Sequence, residues 1–316
     1  MAQTPERYLI IGGTTKGATT SLFFYLKDHP EVCTSSIKEA RYWLDADYPL
    51  QSKNRYVPGQ PHDYGQYFTQ AKAGEHVGVE ATPDYLYSPA TANYVQENLS
   101  DVKMLFTLRE PISRLVSWYR FAQQNGDLDK EVSLESYIER MLALGEPSKD
   151  TPQYLRALEQ GRYHHYLQHY MATLGKEQVG VVYYEDLKPN PTGVMRSIAE
   201  LAGIDAAFYD TYQFEVKNET KNLKNPKVHQ AYKRFRFVVR NVTHKYPVIH
   251  RQLQRLRRGF EPLYMKLNEE KAKTPSLGIS EALQARLVNY YAADVAALHH
   301  DYPVSAAWQT LYTLEA

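Results

Sequence analysis

Cysteine is almost absent from this chain of 316 residues. Cys33 stands alone, which excludes an intramolecular disulfide and every multi-cysteine zinc site. A reducing compartment is the simplest setting for such a sequence. Long apolar runs are also missing. After the polar opening Met1-Ala2-Gln3-Thr4-Pro5-Glu6-Arg7, the run from Tyr8 to Ile11 is shorter than the ~7–15 apolar residues of a signal-peptide core. No stretch approaches the roughly 20 apolar residues of a membrane-spanning helix. The expectation is a soluble, cytoplasmic protein, with a membrane-peripheral position as the alternative. Asn98, Asn218 and Asn241 each open a glycosylation tripeptide, a pattern of little weight without a secretion signal. Neither sign of charge is in excess, 37 Lys+Arg standing against 36 Asp+Glu. A wholly basic nucleic-acid binder and an acidic disordered chain are therefore both excluded, and no nucleic-acid partner is expected.

What the chain does have is a hydrophobic fraction of 43%, enough for a substantial core, and an uneven distribution of charge. Residues 217–258 hold 13 Lys and Arg against the single acid Glu219. This tract mixes cationic, aromatic and aliphatic residues. It reads as a solvated helical face, with an anionic membrane surface or an acidic polymer as the partners it would otherwise suit.

Tyr8 to Gly13 is an apolar run ending in glycines, and helix-compatible residues resume from Ser21 to Leu26. Further strands are expected at His76–Glu80, Val102–Leu108 and Val179–Tyr184. Pro111 suits the start of a helix whose Ile112, Leu115, Val116 and Tyr119 fall at i, i+3, i+4 and i+7. Helices are also expected over 133–143, 153–174 and 192–202. A last one follows Ser280, with Leu283, Leu287, Tyr290 or Tyr291 and Val295 as its apolar stripe. The recurrent strand–helix alternation predicts an α/β fold, P-loop-like, with three αβα layers around a mainly parallel sheet. Residues 1–316 read as one domain, with a basic, mainly helical segment at about 217–260.

Gly12-Gly13-Thr14-Thr15-Lys16-Gly17-Ala18-Thr19-Thr20 follows the first strand and opens a helix. Small residues let backbone N–H groups approach an anion, and the helix N-terminus adds partial positive charge. A phosphate or sulfate fits there; the alternative is a glycine-containing turn with a solvated lysine. In the nucleoside-triphosphatase loop the lysine follows the last glycine and a Ser/Thr for magnesium comes next. Here Lys16 precedes Gly17 and Ala18 follows it, so ATP hydrolysis is not what this loop is built for.

Thr15 to Leu22, followed by Leu26 and His29-Pro30, resembles the 5′-phosphosulfate loop of the PAPS-dependent sulfotransferases, particularly the branch containing the heparan sulfate sulfotransferases and their bacterial relatives. The resemblance implies that Thr15, Lys16, Gly17, Ala18, Thr19 and Thr20 hold the 5′-phosphosulfate of 3′-phosphoadenosine 5′-phosphosulfate, with Lys16 on the sulfate–phosphate bridge. Ala18 stands where the branch often has a second glycine, a replacement the loop accommodates if φ there is negative. Leu108 to Tyr119 resembles the family's 3′-phosphate motif, which implies donor contacts for Arg109 and Ser117. A guanidinium suits that task because it can fork two N–H donors onto one phosphate. Lys38-Glu39-Ala40-Arg41-Tyr42-Trp43 is similar to the segment holding the branch's general base, which matches Glu39. Val79 to Pro89 resembles the strand and loop beside the acceptor cleft. There Glu80 is expected to hold the site's shape, Asp84 either to do so or to bind the acceptor, and Ala81 replaces a lysine of some heparan-modifying relatives. Residues 217–226 occupy the place of a late loop that closes over the donor, with Lys221 as a donor contact. Gly161 to Leu167 with Val179 to Leu187, and Ile279 to Leu298, resemble later elements of the branch. His165 and His169, four apart, read as a packed or exposed pair rather than a metal site, having no third ligand at suitable spacing.

The resemblance implies a sulfotransferase acting by in-line displacement without metal and releasing adenosine 3′,5′-bisphosphate. Glu39 would activate the acceptor hydroxyl and Lys16 would offset charge on the leaving oxygen. The acceptor is expected to be a carbohydrate, with a lipid, polyketide or other small-molecule hydroxyl as the alternative. The rival readings are an ATP-dependent small-molecule kinase and a non-catalytic protein that binds glycan or membrane through the basic tract.

Overall fold

Five strands, β1 (Arg7–Gly13), β2 (Val32–Thr34), β3 (Val77–Ala81), β4 (Val102–Leu108) and β5 (Val179–Tyr183), pair in the order β2-β3-β1-β4-β5. All the pairings are parallel. This is a computed structural model, and it describes residues 4–50, 52, 55–215, 222–223, 269–270 and 278–314. The basic segment expected at about 217–260, with Lys221, lies outside the described residues apart from Asn222–Leu223, which pairs antiparallel with Glu269–Glu270.

The central strands are mostly apolar because helices cover both faces of the sheet. Successive side chains alternate between the faces. Leu9 and Ile11 of β1, with Val77, Val79 and Ala81 of β3, pack on α1 (Thr19–Lys27). Ile10, together with Met104 and Phe106 of β4, turns to the other side. That second layer is larger. Moving along the chain it contains α2 (Pro89–Asn98), α3 (Pro111–Asn125), α4 (Leu134–Leu144) and α5 (Tyr163–Leu174). After β5 come a single turn, α6 (Tyr184–Leu187), and α7 (Pro191–Ala202), which joins α1. The final pair, α8 (Glu281–Asp301) and α9 (Ala306–Tyr312), returns to the larger layer through Leu283, Leu287, Tyr291, Val295, Leu298, Trp308 and Tyr312. Among the described residues no helix is long and apolar enough to cross a membrane.

The continuous helix expected over 153–174 is not formed. Its first half consists of two 3₁₀ turns, Gln153–Leu155 and Glu159–Gly161, and α5 starts only at Tyr163. The break has a packing cause. Gly161 lies so close to Tyr291 of α8 that a Cβ there would sit 2.7 Å from the ring, and Leu155, Ala157 and Leu158 turn into the core. The three-residue β2, α2, α6 and α9 were not anticipated. Each is short, and what fixes it is contact with distant residues rather than its own periodicity.

From β1 the chain runs out to β2, returns through β3 and crosses over β1 to β4. The order therefore reverses about β1, and in such sheets ligands bind at the carboxyl ends of the strands beside the reversal. The β1–α1, β2 and β4–α3 connections that hold Lys16, Glu39 and Arg109 all lie on this edge.

Candidate active site

The β1–α1 loop is held tightly to the end of β4. Thr14 N–H donates to the Thr107 carbonyl at 2.6 Å, and the Thr107 hydroxyl donates to the Gly17 carbonyl at 2.6 Å. Gly17 N–H closes the turn onto the Thr14 carbonyl at 3.0 Å. A Cβ on Gly17 would lie 2.6 Å from the Thr107 carbonyl oxygen, so only glycine fits. Thr14 Oγ1 also hydrogen-bonds the Tyr87 hydroxyl. The condition of a negative φ, under which Ala18 would be accommodated easily, is not met: Lys16 and Ala18 both have φ 70. The tight turn around Gly17 forces them there, in a left-handed region that L-residues occupy at a cost. Ala18 is the N-cap of α1 and provides no side-chain cap. The loop's N–H groups and the start of α1 thus form a concavity suited to an anion. The buried Thr15 hydroxyl has no partner among the described residues.

Arg109 follows β4 directly and meets this loop. Its Nη1 donates to the Lys16 carbonyl at 3.5 Å, its guanidinium lies 4.5 Å from the Tyr184 ring centroid, and its buried Nε has no hydrogen-bond partner among the described residues. Lys16 Nζ lies 4.9 Å from the centroid of Phe121 on α3. Burial, and after it the charge of Arg109, lowers the Lys16 pKa. Ser117 is buried and precedes Phe121 by one helical turn, so the two share the face of α3 that meets Lys16. The N-terminus of α3 is not itself open. The Glu110 carboxylate caps it, accepting from Ile112 N–H at 2.8 Å and Ser113 N–H at 2.7 Å, which leaves anion binding here to side chains. Two cations and two orphaned polar atoms, Thr15 Oγ1 and Arg109 Nε, gathered on one loop edge suit an anionic ligand.

Glu39 sits after β2 with φ 62, its N–H bonded to the Ala81 carbonyl at 3.0 Å. Its carboxylate lies between Lys38 Nζ at 3.2 Å and Arg41 Nη2 at 3.3 Å. The loop is fixed from beneath by Glu80, whose Oε1 accepts from Ala40 N–H at 3.1 Å and the Thr82 hydroxyl at 2.7 Å. The Thr82 hydroxyl in turn accepts from Arg41 N–H at 3.2 Å. Burial pushes the Glu80 carboxyl up to about 7, against the hydrogen bonds from Thr82 and Ala40. Asp84 is also pushed up, to about 6, chiefly by burial, and accepts from Tyr48 at 3.0 Å and Gln153 at 3.3 Å. Tyr42 and Trp43 are core residues packed on Tyr64, so this aromatic pair anchors the Glu39 loop.

The rings of His165 and His169 have different partners, the His165 ring meeting that of Tyr166 at 5.2 Å. His169 hydrogen-bonds the Pro89 carbonyl at 2.8 Å, while His165 offers its backbone N–H to Asp294 at 2.9 Å. No cluster of three potential metal ligands occurs among the described residues. Phe121, Tyr184, Glu185 and the α9 residues Trp308 and Tyr312 border the site without having been anticipated. The i, i+4 step from Ser117 was the available signal for Phe121; for α9 there was none.

A parallel α/β sheet with a glycine-containing loop at its switch point and a carboxylate on the same edge places the chain in the class of P-loop-like α/β proteins. More narrowly, the chain belongs to the sulfotransferase domain family, whose sequence model matches residues 9–255. The chain is 32% identical over 135 residues to the membrane-associated sulfotransferase kil1 of Dictyostelium discoideum, covering 42% of this chain and 26% of that one. It is 22% identical over 276 residues to the human heparan sulfate glucosamine 3-O-sulfotransferase 3B1, covering 84% of this chain and 62% of that one. The chain thus spans about a quarter to three fifths of the length of these curated relatives. The fold is that of the sulfotransferase from Alicyclobacillus acidocaldarius, with a TM-score of 0.62, 21% identity and coverage of 97% of this chain and 99% of that one.

Proposed function

We propose that this protein transfers a sulfuryl group from 3′-phosphoadenosine 5′-phosphosulfate to a carbohydrate hydroxyl. The observation behind this reading is that Arg109 and Lys16, 93 residues apart in sequence, share one loop edge through the 3.5 Å bond to the Lys16 carbonyl. In this reading the loop Thr15 to Thr20 takes the 5′-phosphosulfate, and Arg109 with Ser117 takes the 3′-phosphate. The bound donor supplies the sulfuryl group, whose bond to the 5′-phosphate oxygen breaks as a bond to the acceptor oxygen forms, leaving adenosine 3′,5′-bisphosphate. Lys16 offsets the negative charge that builds on the leaving oxygen. Glu39 takes the acceptor's proton. Each of its oxygens already accepts from one cation, and a carboxylate oxygen has a second lone pair for that hydroxyl. The chemistry requires no metal ion. A carbohydrate acceptor is favoured by the resemblance of the Glu39 segment to glycan-acting relatives and by the similarity to a heparan sulfate sulfotransferase.

Calorimetric titration with adenosine 3′,5′-bisphosphate and with ATP, each with and without magnesium, tests the donor. The bisphosphate is expected to bind more tightly and without metal. In labelled-donor assays Lys16→Ala is expected to lower turnover by about 10²–10³ and Glu39→Gln by about 10²–10⁴, while Arg109→Ala weakens donor affinity first. Near-normal turnover of Lys16→Ala at saturating donor would overturn these roles. A panel of glycans, acyl chains and phenols tests the acceptor, and label entering only the latter two would refute a carbohydrate.

A further inference from the structure

Two carboxylates flank Arg109 and neither pairs with it. Glu110 is the next residue, and Glu185 follows Tyr184, the residue on whose ring the Arg109 guanidinium rests. A free carboxylate that reaches a guanidinium normally forms a strong, charge-assisted pair, which would occupy the donors an anionic ligand needs. Here both carboxylates are engaged elsewhere. Glu110 Oε1 accepts from Ile112 N–H and from the Tyr312 hydroxyl at 2.9 Å, and its Oε2 accepts from Ser113 N–H. Glu185 Oε1 accepts from Glu110 N–H at 3.0 Å, and its Oε2 accepts from Trp308 Nε1 at 2.9 Å. The two donors from outside the turn, Trp308 and Tyr312, lie four residues apart on α9 and are both buried. Trp308 is clamped between the Tyr183 ring at 5.1 Å and the Tyr163 ring at 6.1 Å. Tyr163 in turn donates to the Arg109 carbonyl at 2.7 Å.

We propose that Trp308 and Tyr312 are positioning residues of the anion site: α9 ties down the carboxylates of Glu185 and Glu110, which leaves the Arg109 guanidinium open to the nucleotide's 3′-phosphate. This inference rests on the role given to Arg109 above. Losing the indole donor frees Glu185 Oε2, and losing the phenol donor loosens Glu110, whose Oε1 then keeps only Ile112 N–H; either carboxylate can swing onto Arg109 and compete with the ligand. The loss is therefore electrostatic, and removing the freed charge should reverse it.

The test is titration of the full chain with adenosine 3′,5′-bisphosphate, with thermal melts to verify folding. Trp308→Phe and Tyr312→Phe are each expected to weaken binding about tenfold, the scale of one hydrogen bond to a charged group. Turnover at saturating donor should stay within about twofold. Adding Glu185→Gln to Trp308→Phe should restore most of the lost affinity, because glutamine cannot ion-pair with Arg109; loss of packing alone would not be rescued. Wild-type affinity in both single variants, or no rescue by Glu185→Gln, overturns the inference. If Trp308→Phe does not fold at the assay temperature, the Tyr312→Phe titration decides. Arg109→Ala separates the two levels: unchanged bisphosphate binding there refutes the role of Arg109, whereas loss there with normal binding in both α9 variants refutes only the inference.

Discussion

Glu80 shows how a single buried residue sets the shape of the Glu39 loop. It is fully buried, and its two hydrogen bonds at Oε1 fix the N–H of Ala40 directly and that of Arg41 through the Thr82 hydroxyl. Burial raises its pKa from 4.5 to about 7, so the folded protein holds a proton that the unfolded chain has already released at intermediate pH. The stabilising contribution is complete below about pH 4.5 and is lost as the pH rises through about 7. The full shift corresponds to about 3 kcal/mol. Urea midpoints of the wild type are therefore expected to fall between pH 5 and 8, and those of Glu80→Gln, which keeps the acceptor oxygen, to fall less steeply. Parallel slopes for the two proteins would refute this. Lys16 and Arg109 stood out in the sequence because each follows an apolar strand in a turn with distinctive neighbours, whereas Glu39 was named through the resemblance of its segment to a known family. The raised pKa values of Glu80 and Asp84 were not legible there, since they arise from burial beneath loops distant in the chain.

At the scale of elements, the β1–α1 loop is shaped more by β4 than by its own residues. Gly17 has the Thr107 carbonyl where its Cβ would be, and the neighbouring φ of 70 at Lys16 and Ala18 follows from that close approach. Gly17→Ala must push the loop off β4. It is expected to cost about 1–3 kcal/mol of stability and to weaken bisphosphate binding at least tenfold, both measurable by denaturation and calorimetry. An unchanged affinity would mean that the loop does not bind the nucleotide. Strand–turn–helix units were readable here because apolar runs, glycines and Pro111 are local signals. The helix expected over 153–174 failed because its break at Gly161 answers to Tyr291, 130 residues away.

For the molecule as a whole, the two layers on the sheet are unequal, and the larger is completed only by α8 and α9, the last helices in the chain. Leu287, fully buried in that layer, tests whether they belong to one cooperative unit. Leu287→Ala is expected to destabilise the protein by about 2–5 kcal/mol while calorimetry still shows a single transition; an early separate melting of the C-terminal helices would refute it. The sequence by itself determined the α/β class and the strand–turn–helix units that carry the Gly12–Thr20 loop and Arg109, because turn chemistry and hydrophobic periodicity act over a few residues. Only the tertiary structure decided that β2 and β3 lie on one side of β1 and β4 on the other, that Arg109 meets the Lys16 loop, and that α9 engages Glu110 and Glu185. Those contacts join residues about 90 to 200 positions apart, and no local pattern encodes which distant surface a buried side chain will meet.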